Sequence, residues 1–248
     1  LSHYQMHIYT YRSGSAIEAV ATTGLETVLD PGDQYTYDRT KEGTFYALWE
    51  KTGYTQTIRV RFENADGTFT SYANAYQSTL NNGETFTWEY PSNDIYQGAT
   101  VSYTVSGEKT TDVTIYRNKK KLDVNGNING IVTDNITGVG TFDIYVNDKQ
   151  VGNDVSEYVD NLRYGSTYEI KDVKALSGYK YIGVISGALT GTIGKSEVKV
   201  QLGYERSDVN VTYKANGGEG NDQKQTVSYG QEWTTKGSIF NRKGYKLS

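Results

Sequence analysis

The feature that most constrains the fold is a strict alternation of apolar and polar residues in short runs along the chain. In "TIRVRFEN", Ile58, Val60 and Phe62 alternate with charged side chains, and this period of two predicts a β-strand with one buried face. Turn signals such as "ADG", "NNG", "NGN" and "NGG" separate the runs. The other alternating residues that we expect to face a core are Val101, Tyr103, Val105, Phe142, Ile144, Val146, Val198, Val200, Leu202, Tyr204, Val209, Val211 and Tyr213.

Composition favours several small β modules over one compact domain. Apolar residues make up 36% of the 248 residues, which is low for one large core. The chain contains 23 Tyr and 2 Pro, and Thr, Val, Ile and Tyr dominate the alternating runs, which suits pleated strands. Short helices are expected at 15–24 and 230–240. We therefore predict a mainly β fold of serial small modules, β-sandwich or β-grasp-like, in an elongated arrangement with few short helices.

Charge and cysteine content exclude several classes of partner and site. The formal net charge is −4, acids and bases are interspersed, and there is no cysteine. The basic cluster Lys119-Lys120-Lys121 is interpreted as a solvated linker between modules. We therefore expect no nucleic-acid partner, no disulfide and no thiolate zinc site. No apolar run approaches the roughly 20 residues that span a bilayer, so no membrane contact is expected within this segment.

Internal repetition points to two related modules in the middle of the chain. A pattern of glycine, a polar residue, any residue and an aromatic residue recurs at Gly32, Gly83, Gly165 and Gly230, as "GDQYTY", "GETFTW", "GSTYEI" and "GQEWTT". We expect the glycine to form a tight turn and the aromatic residue to enter the core first.

A longer alignment extends two of these copies. "GATVSYTVSGEKTTDVTIYR" aligns with "SGALTGTIGKSEVKVQLGY", and both predict a strand, a Gly-Lys hairpin and a closing strand. We therefore expect two related β modules, residues 53–118 and 119–205, with "RNKKK" as a short seam between them.

The segment after residue 206 resembles part of a known repeat. "VTYKANGG" (211–218), "TVSYGQEW" (226–233) and "NRKGYKLS" (241–248) are similar to the first half of a Listeria–Bacteroides repeat, a small β-grasp-like module common in surface proteins of Gram-positive bacteria. The resemblance implies that 206–248 is the N-terminal half of such a module.

The start of the chain resembles the second half of the same repeat. "DPGDQYTY" (30–37) and "GTFYALWE" (43–50) match the closing part of the pattern, so the resemblance implies that 1–52 is a C-terminal half. The family usually has Gly-Trp where the joined halves have Ser-His-Tyr. Leu247-Ser248 repeats Leu1-Ser2, which suggests a tandem array with a period of 247 − 1 = 246 residues. Neighbouring copies of the same repeat are then the expected partners.

Motifs for catalysis or metal binding are weak. His3 and His7 are four residues apart in a strand-like run, or roughly 13 Å, which is too far for one metal ion. Asp123, Asn125 and Asn127 follow the first positions of a calcium loop, but Ile128 stands where that loop needs glycine, and an Asn-Gly turn explains the run. No nucleophile elbow or phosphate loop is present, so we expect no enzyme and no cofactor.

The resemblance implies an extracellular location, either in the cell wall or secreted. We interpret the chain as a segment of a bacterial stalk or spacer built from tandem modules, with a role in adhesion. One alternative is an adhesin module for a host or environmental glycan or protein, and another is an accessory region of a secreted enzyme. The candidate ligand-binding residues are tyrosines in polar surroundings, namely Tyr72, Tyr76, Tyr96, Tyr179 and Tyr181.

Overall fold

The computed structural model describes residues 4–10, 27–29 and 45–246, with side chains described from residue 51 onward. The first strands are β1 (Tyr4–Thr10), β2 (Thr27–Leu29) and β3 (Phe45–Lys51). The next are β4 (Gly53–Phe62), β5 (Ala73–Asn81), β6 (Thr85–Tyr90), β7 (Ala99–Thr104) and β8 (Lys109–Ile115). Then follow β9 (Lys119–Ile128), β10 (Ile131–Thr133), β11 (Gly140–Val146), β12 (Lys149–Val155), β13 (Val159–Arg163), β14 (Thr167–Ala175), β15 (Tyr179–Ser186), β16 (Thr190–Thr192) and β17 (Val198–Arg206). The last are β18 (Asp208–Tyr213) and β19 (Gln223–Ser228).

The predicted fold class is confirmed, since the described chain is mainly β and consists of several small sheets. The described residues contain no helix, and hence none that could cross a membrane. The expectation of a short helix at 230–240 is wrong. Gly237 and neighbouring threonines disfavour a helix, and side chains take its backbone hydrogen bonds instead: Tyr213 Oη accepts from Lys236 N (3.1 Å) and Gln225 Nε2 donates to Thr234 O (3.1 Å). The other expected helix, at 15–24, lies outside the described residues.

The chain divides into two compact units. Unit 1 comprises Leu1–Glu63, Phe69–Asn93 and Gln97–Tyr116, and unit 2 comprises Asn64–Thr68, Asp94–Tyr96 and Arg117–Ser248. The finer boundaries predicted from the sequence, at 52, 118 and 205, stay a prediction.

Unit 1 contains a sheet in the order β2-β1-β3, a sheet in the order β5-β4-β8 and the antiparallel pair β6-β7. The predicted inward residues Ile58 and Val60 of β4 are buried. Tyr76 of β5 packs against Phe86 of β6 with ring centroids 5.2 Å apart, so two sheets close over one core. The buried apolar residues of this unit are Ile58, Val60, Phe86, Val105, Val113 and Ile115.

Unit 2 contains a β-sandwich. Strands β10, β9, β17 and β15 form one sheet in that order, with β13 paired to β9, and β12, β11, β14 and β16 form the other. Buried side chains from both sheets form one cluster, which includes Leu122, Phe142, Ile144, Leu202 and Tyr204. The alternation in "TFDIYVN" and "SEVKVQLGY" therefore marks the core face as predicted.

The two repeated glycine turns have the same structure in both units. Gly83 and Gly165 have φ of +84° and +82°, values that glycine adopts without strain. Gly83 N donates to Val105 O (2.8 Å), and Gly165 N donates to Ile193 O (2.7 Å). The aromatic residues three positions on, Phe86 and Tyr168, are 4% and 6% exposed, so the predicted role of this pattern is confirmed in these two copies.

The predicted Gly-Lys hairpins are wrong. Strands β7 and β8 do not pair, because β7 pairs with β6 while β8 runs parallel to β4. Likewise β16 pairs with β14, and β17 runs parallel to β9. In both units the chain crosses from one sheet to the other at this point, so a pattern that signals a turn does not decide which strands it joins.

Two further sequence interpretations near residue 120 need correction. Lys119-Lys120-Lys121 is not a linker, because these residues open β9 and Lys120 pairs with Leu162 of β13. "NGN" is not a turn, since Gly126 lies inside β9, where a Cβ atom would come within 2.8 Å of Ile136 Cγ2. The turn lies instead at residues 129 and 130.

Residues 206–246 differ from the rest of unit 2 because none of these described residues has a buried side chain. The antiparallel strands β18 and β19 form a separate two-stranded sheet. The alternation in "VNVTYK" predicted a core face, yet Val209 is 46% exposed, and Trp233 of the "GQEWTT" pattern is 42% exposed. Both predictions of burial are wrong within this chain, since two strands alone cannot enclose a core.

Candidate ligand-binding surface

The outward face of the β5-β4-β8 sheet carries charged side chains in register. Alternation along β4 turns Arg59 and Arg61 away from the core, and the parallel pairing places them beside Asp112 and Thr114 of β8. Arg59 donates two hydrogen bonds to Asp112, from Nε to Oδ1 and from Nη2 to Oδ2, each 2.7 Å long. This bidentate contact is the main reason that the pKa of Asp112 lies below its ordinary value.

Arg61 is held differently from Arg59. Its Nε donates to Thr114 Oγ1 at 2.9 Å. Its Cζ lies 4.5 Å from the ring centroid of Phe69 and 4.9 Å from that of Tyr72, which are cation–π distances. No carboxylate among the described residues forms an ion pair with Arg61.

Three exposed aromatic rings border these arginines. Phe69, Tyr72 and Tyr116 are 38%, 37% and 47% exposed. The rings of Phe69 and Tyr116 meet edge to face with centroids 6.1 Å apart. We refer to these residues together as the aromatic–arginine face: Arg59, Arg61, Phe69, Tyr72, Asp112, Thr114 and Tyr116.

The structure does not bring the five predicted tyrosines together. Tyr72 belongs to the aromatic–arginine face, whereas Tyr76 packs inward against Phe86. Tyr96, Tyr179 and Tyr181 belong to unit 2, where each is half-buried. Tyr179 contacts Tyr229, with centroids 5.7 Å apart, and burial raises the pKa of Tyr181, which packs on Tyr204.

Sequence reasoning from tyrosine alone missed most of this face. Phe69 and Tyr116 flank strands and were not selected, and Asp112 is one acid among 29 acidic residues. The alternation in "TIRVRFEN" does place Arg59 and Arg61 outward. Their partners depend on the parallel pairing of β4 with β8, which no local pattern encodes.

A groove of about 400 Å³ in unit 2 offers less to a ligand. It is lined by Tyr145, Asn147, Asp148, Thr167, Tyr168, Glu169, Thr190 and Gly191. Lys171 Nζ lies 4.7 Å from the ring of Tyr145 and 2.8 Å from Glu169 Oε2, so one aromatic and one acidic group of the groove already interact with a lysine of the protein.

The described candidates for metal binding lie on strands. Asp123, Asn125 and Asn127 occupy alternate positions of β9, where Asp123 pairs with Lys121 (3.1 Å) and Asn127 Nδ2 donates to Gln201 (3.3 Å). His7 lies in β1, and His3 lies outside the described residues. Within the described part of the chain, no three His, Cys, Asp or Glu residues cluster as metal ligands would.

No protein-family model and no curated protein matches the chain. Among solved structures, the chain is similar to one described as the Bacillus anthracis TIE protein, with 9% sequence identity and a TM-score of 0.34. The match covers 69% of this chain and 38% of that chain, so the present chain spans well under half the length of that structure.

Proposed function

We propose that the chain is a segment of an extracellular bacterial surface protein, in the cell wall or secreted, that acts as a stalk or spacer of tandem β modules. The observation that carries the proposal is the absence of any buried side chain between residues 206 and 246. Tyr229, Trp233 and Tyr245 are 44%, 42% and 69% exposed there. A two-stranded segment whose following residues expose three aromatic side chains needs a covering surface to form a core.

A neighbouring copy of the same chain is the partner that we propose for this segment. The resemblance of 206–248 and 1–52 to the two halves of one repeat is the reason for proposing residues 1–52 as the complementary piece. Residues 4–51 contribute a three-stranded sheet in the order β2-β1-β3. Joined to the β18-β19 pair, such a sheet would provide enough strands to bury the exposed aromatic residues.

A two-copy protein tests this proposal. We expect hydrogen exchange at β18 and β19 of the first copy to slow relative to a one-copy protein, because the junction encloses these strands. Trp233 fluorescence of the first copy should shift to shorter wavelength as the indole leaves water. The control is a two-copy protein in which a long Gly-Ser linker replaces the first 50 residues of the second copy. It keeps two copies in one chain but lacks the proposed complementary piece. Equal exchange in all three proteins would rule out the proposed partner.

A second candidate function is binding of a glycan or a protein through unit 1. The aromatic–arginine face favours it, because recognition surfaces typically combine exposed aromatic rings with polar groups that have free hydrogen-bond donors or acceptors. Substitution of Tyr72 by alanine followed by glycan-array binding tests this function, which is supported only if the wild-type chain binds and the variant does not.

A further inference from the structure

The two arginines of the aromatic–arginine face differ in whether a carboxylate pairs with them. On the aromatic–arginine face, Asp112 satisfies the guanidinium of Arg59 with both carboxylate oxygens. Glu63, which directly follows β4, is 2% exposed and does not present its carboxylate at the surface. Like Arg59, Arg61 lies near enough to Asp112 to lower the pKa of that carboxyl, but it forms no ion pair with a described carboxylate, so its positive charge remains available on this face.

The guanidinium of Arg61 is oriented for an incoming anion. Its Nε is fixed by Thr114 at 2.9 Å, and the Phe69 and Tyr72 rings restrict the plane of the group. The two Nη groups form no hydrogen bond with the described residues, which leaves them as donors. A planar pair of N–H donors fits a carboxylate or sulfate with two parallel hydrogen bonds.

The aromatic rings and the Arg59–Asp112 ion pair beside Arg61 suit the pyranose ring and the hydroxyl groups of an acidic sugar. The C–H face of a pyranose is apolar and packs on an exposed aromatic ring by dispersion and loss of water contact. Tyr116 is the most exposed of the three rings, and its centroid is within 6.1 Å of that of Phe69. The Arg59–Asp112 pair supplies donor and acceptor atoms for sugar hydroxyls.

We propose that the aromatic–arginine face binds an acidic glycan, in which Arg61 holds a carboxylate or sulfate group while Tyr72, Phe69 and Tyr116 contact the sugar rings. The inference rests on the second candidate function and is independent of the stalk proposal. Charge complementarity favours an acidic glycan over a neutral one. The aromatic rings favour a glycan over an acidic peptide, whose backbone has no comparable apolar face.

Calorimetric titration of the full chain at physiological salt tests this inference. The probes are an oligosaccharide of alternating glucuronic acid and N-acetylglucosamine, a sulfated heparin-type oligosaccharide, a neutral cello-oligosaccharide of the same length and a poly-glutamate peptide. We expect one or both acidic oligosaccharides to bind at least roughly tenfold more tightly than the neutral sugar and the peptide. Arg61→Gln should abolish this preference, and Arg61→Lys should retain part of it, because lysine keeps the charge without the planar donor pair.

Matched controls separate a built site from general attraction of anions. Lys171→Gln removes the same charge from beside another ring, that of Tyr145, and should leave binding unchanged. Tyr72→Ala should weaken binding of the acidic oligosaccharide roughly tenfold with the unfolding temperature near that of the wild type. Equal loss in Arg61→Gln and Lys171→Gln, or equal binding of poly-glutamate, would overturn the inference. Binding of the neutral sugar that depends on Tyr72 but not on Arg61 would overturn it while supporting the second function, and binding of no probe would count against both.

Discussion

At the scale of single residues, Gln56 shows how a polar side chain can hold a β core together. It lies on the inward face of β4 with Ile58 and Val60, and it is fully buried. Its Oε1 accepts from Tyr103 Oη (2.9 Å), and its Nε2 donates to Gly107 O (2.8 Å) and Tyr54 O (3.1 Å). These bonds satisfy the side chain where the chain crosses from the β6-β7 pair to the β5-β4-β8 sheet.

We predict that Gln56→Met lowers the free energy of unfolding of unit 1 by about 1–3 kcal/mol, because it removes the side-chain partner of the Tyr103 hydroxyl and of two part-buried backbone carbonyls. Chemical denaturation followed by circular dichroism measures the change. Gln77→Met makes the same substitution at an exposed position of β5 and should change stability by less than about 0.5 kcal/mol. Equal effects of the two substitutions would contradict the proposed role of Gln56.

At the scale of elements, the β18-β19 pair contacts the sandwich of unit 2 at the turn that holds Gly178. The ring of Tyr229 lies where a Cβ atom of Gly178 would be, and Gly178 has φ of +92°. Ser207 N donates to Gly178 O (2.8 Å), and Tyr229 N donates to Ser207 O (2.9 Å). A side chain at position 178 would therefore displace Tyr229 and strain the turn.

We predict that Gly178→Ala speeds hydrogen exchange in β18 and β19 while exchange in β9 and β17 stays slow. The overlap with Tyr229 and the left-handed backbone both oppose a Cβ atom, and together they should destabilise this attachment by about 1–3 kcal/mol. Gly194→Ala is the matched control, since a Cβ there meets open space and its backbone is unstrained. Protection of β18 and β19 that survives Gly178→Ala would show that another contact holds the pair.

Local sequence patterns predicted strands correctly where strand geometry alone decides the result. The period of two identified β4, β11 and β17 and their buried faces, because alternation is a direct consequence of strand geometry. The patterns failed where distant contacts decide the result. Gly126 lies inside a strand at a position where Ile136 leaves no room for a side chain. Ile136 is ten residues away in sequence, so the local Asn-Gly pattern does not reveal this contact. The aromatic–arginine face was likewise invisible, because it depends on which strand lies beside β4.

At the scale of the whole molecule, each unit has its own set of buried residues. Ile58 in unit 1 and Leu202 in unit 2 are both 0% exposed, and the core cluster of the sandwich consists only of residues from unit 2. Separate cores favour separate cooperative units of folding.

We predict that Ile58→Ala and Leu202→Ala affect different parts of the chain. Each should destabilise its own unit by about 2–5 kcal/mol through the cavity that it leaves. Hydrogen exchange measured by mass spectrometry should show faster exchange in β4 and β8 for the first variant and in β9 and β17 for the second. Faster exchange throughout the chain in either variant would show instead that the two units unfold together.

The parallel pairing of β4 with β8 and of β9 with β17 has a mechanical consequence. In unit 1, β4 and β8 lie side by side in register from Gln56 and Lys109 to Phe62 and Ile115, and in unit 2, β9 and β17 are paired in the same direction. The chain therefore enters and leaves each pair at opposite ends. Tension along the polypeptide would slide the two strands past each other and load all their ladder hydrogen bonds at once, instead of unzipping them one by one. Such a shear geometry resists force along the chain, which is the property that a tether under tension would need.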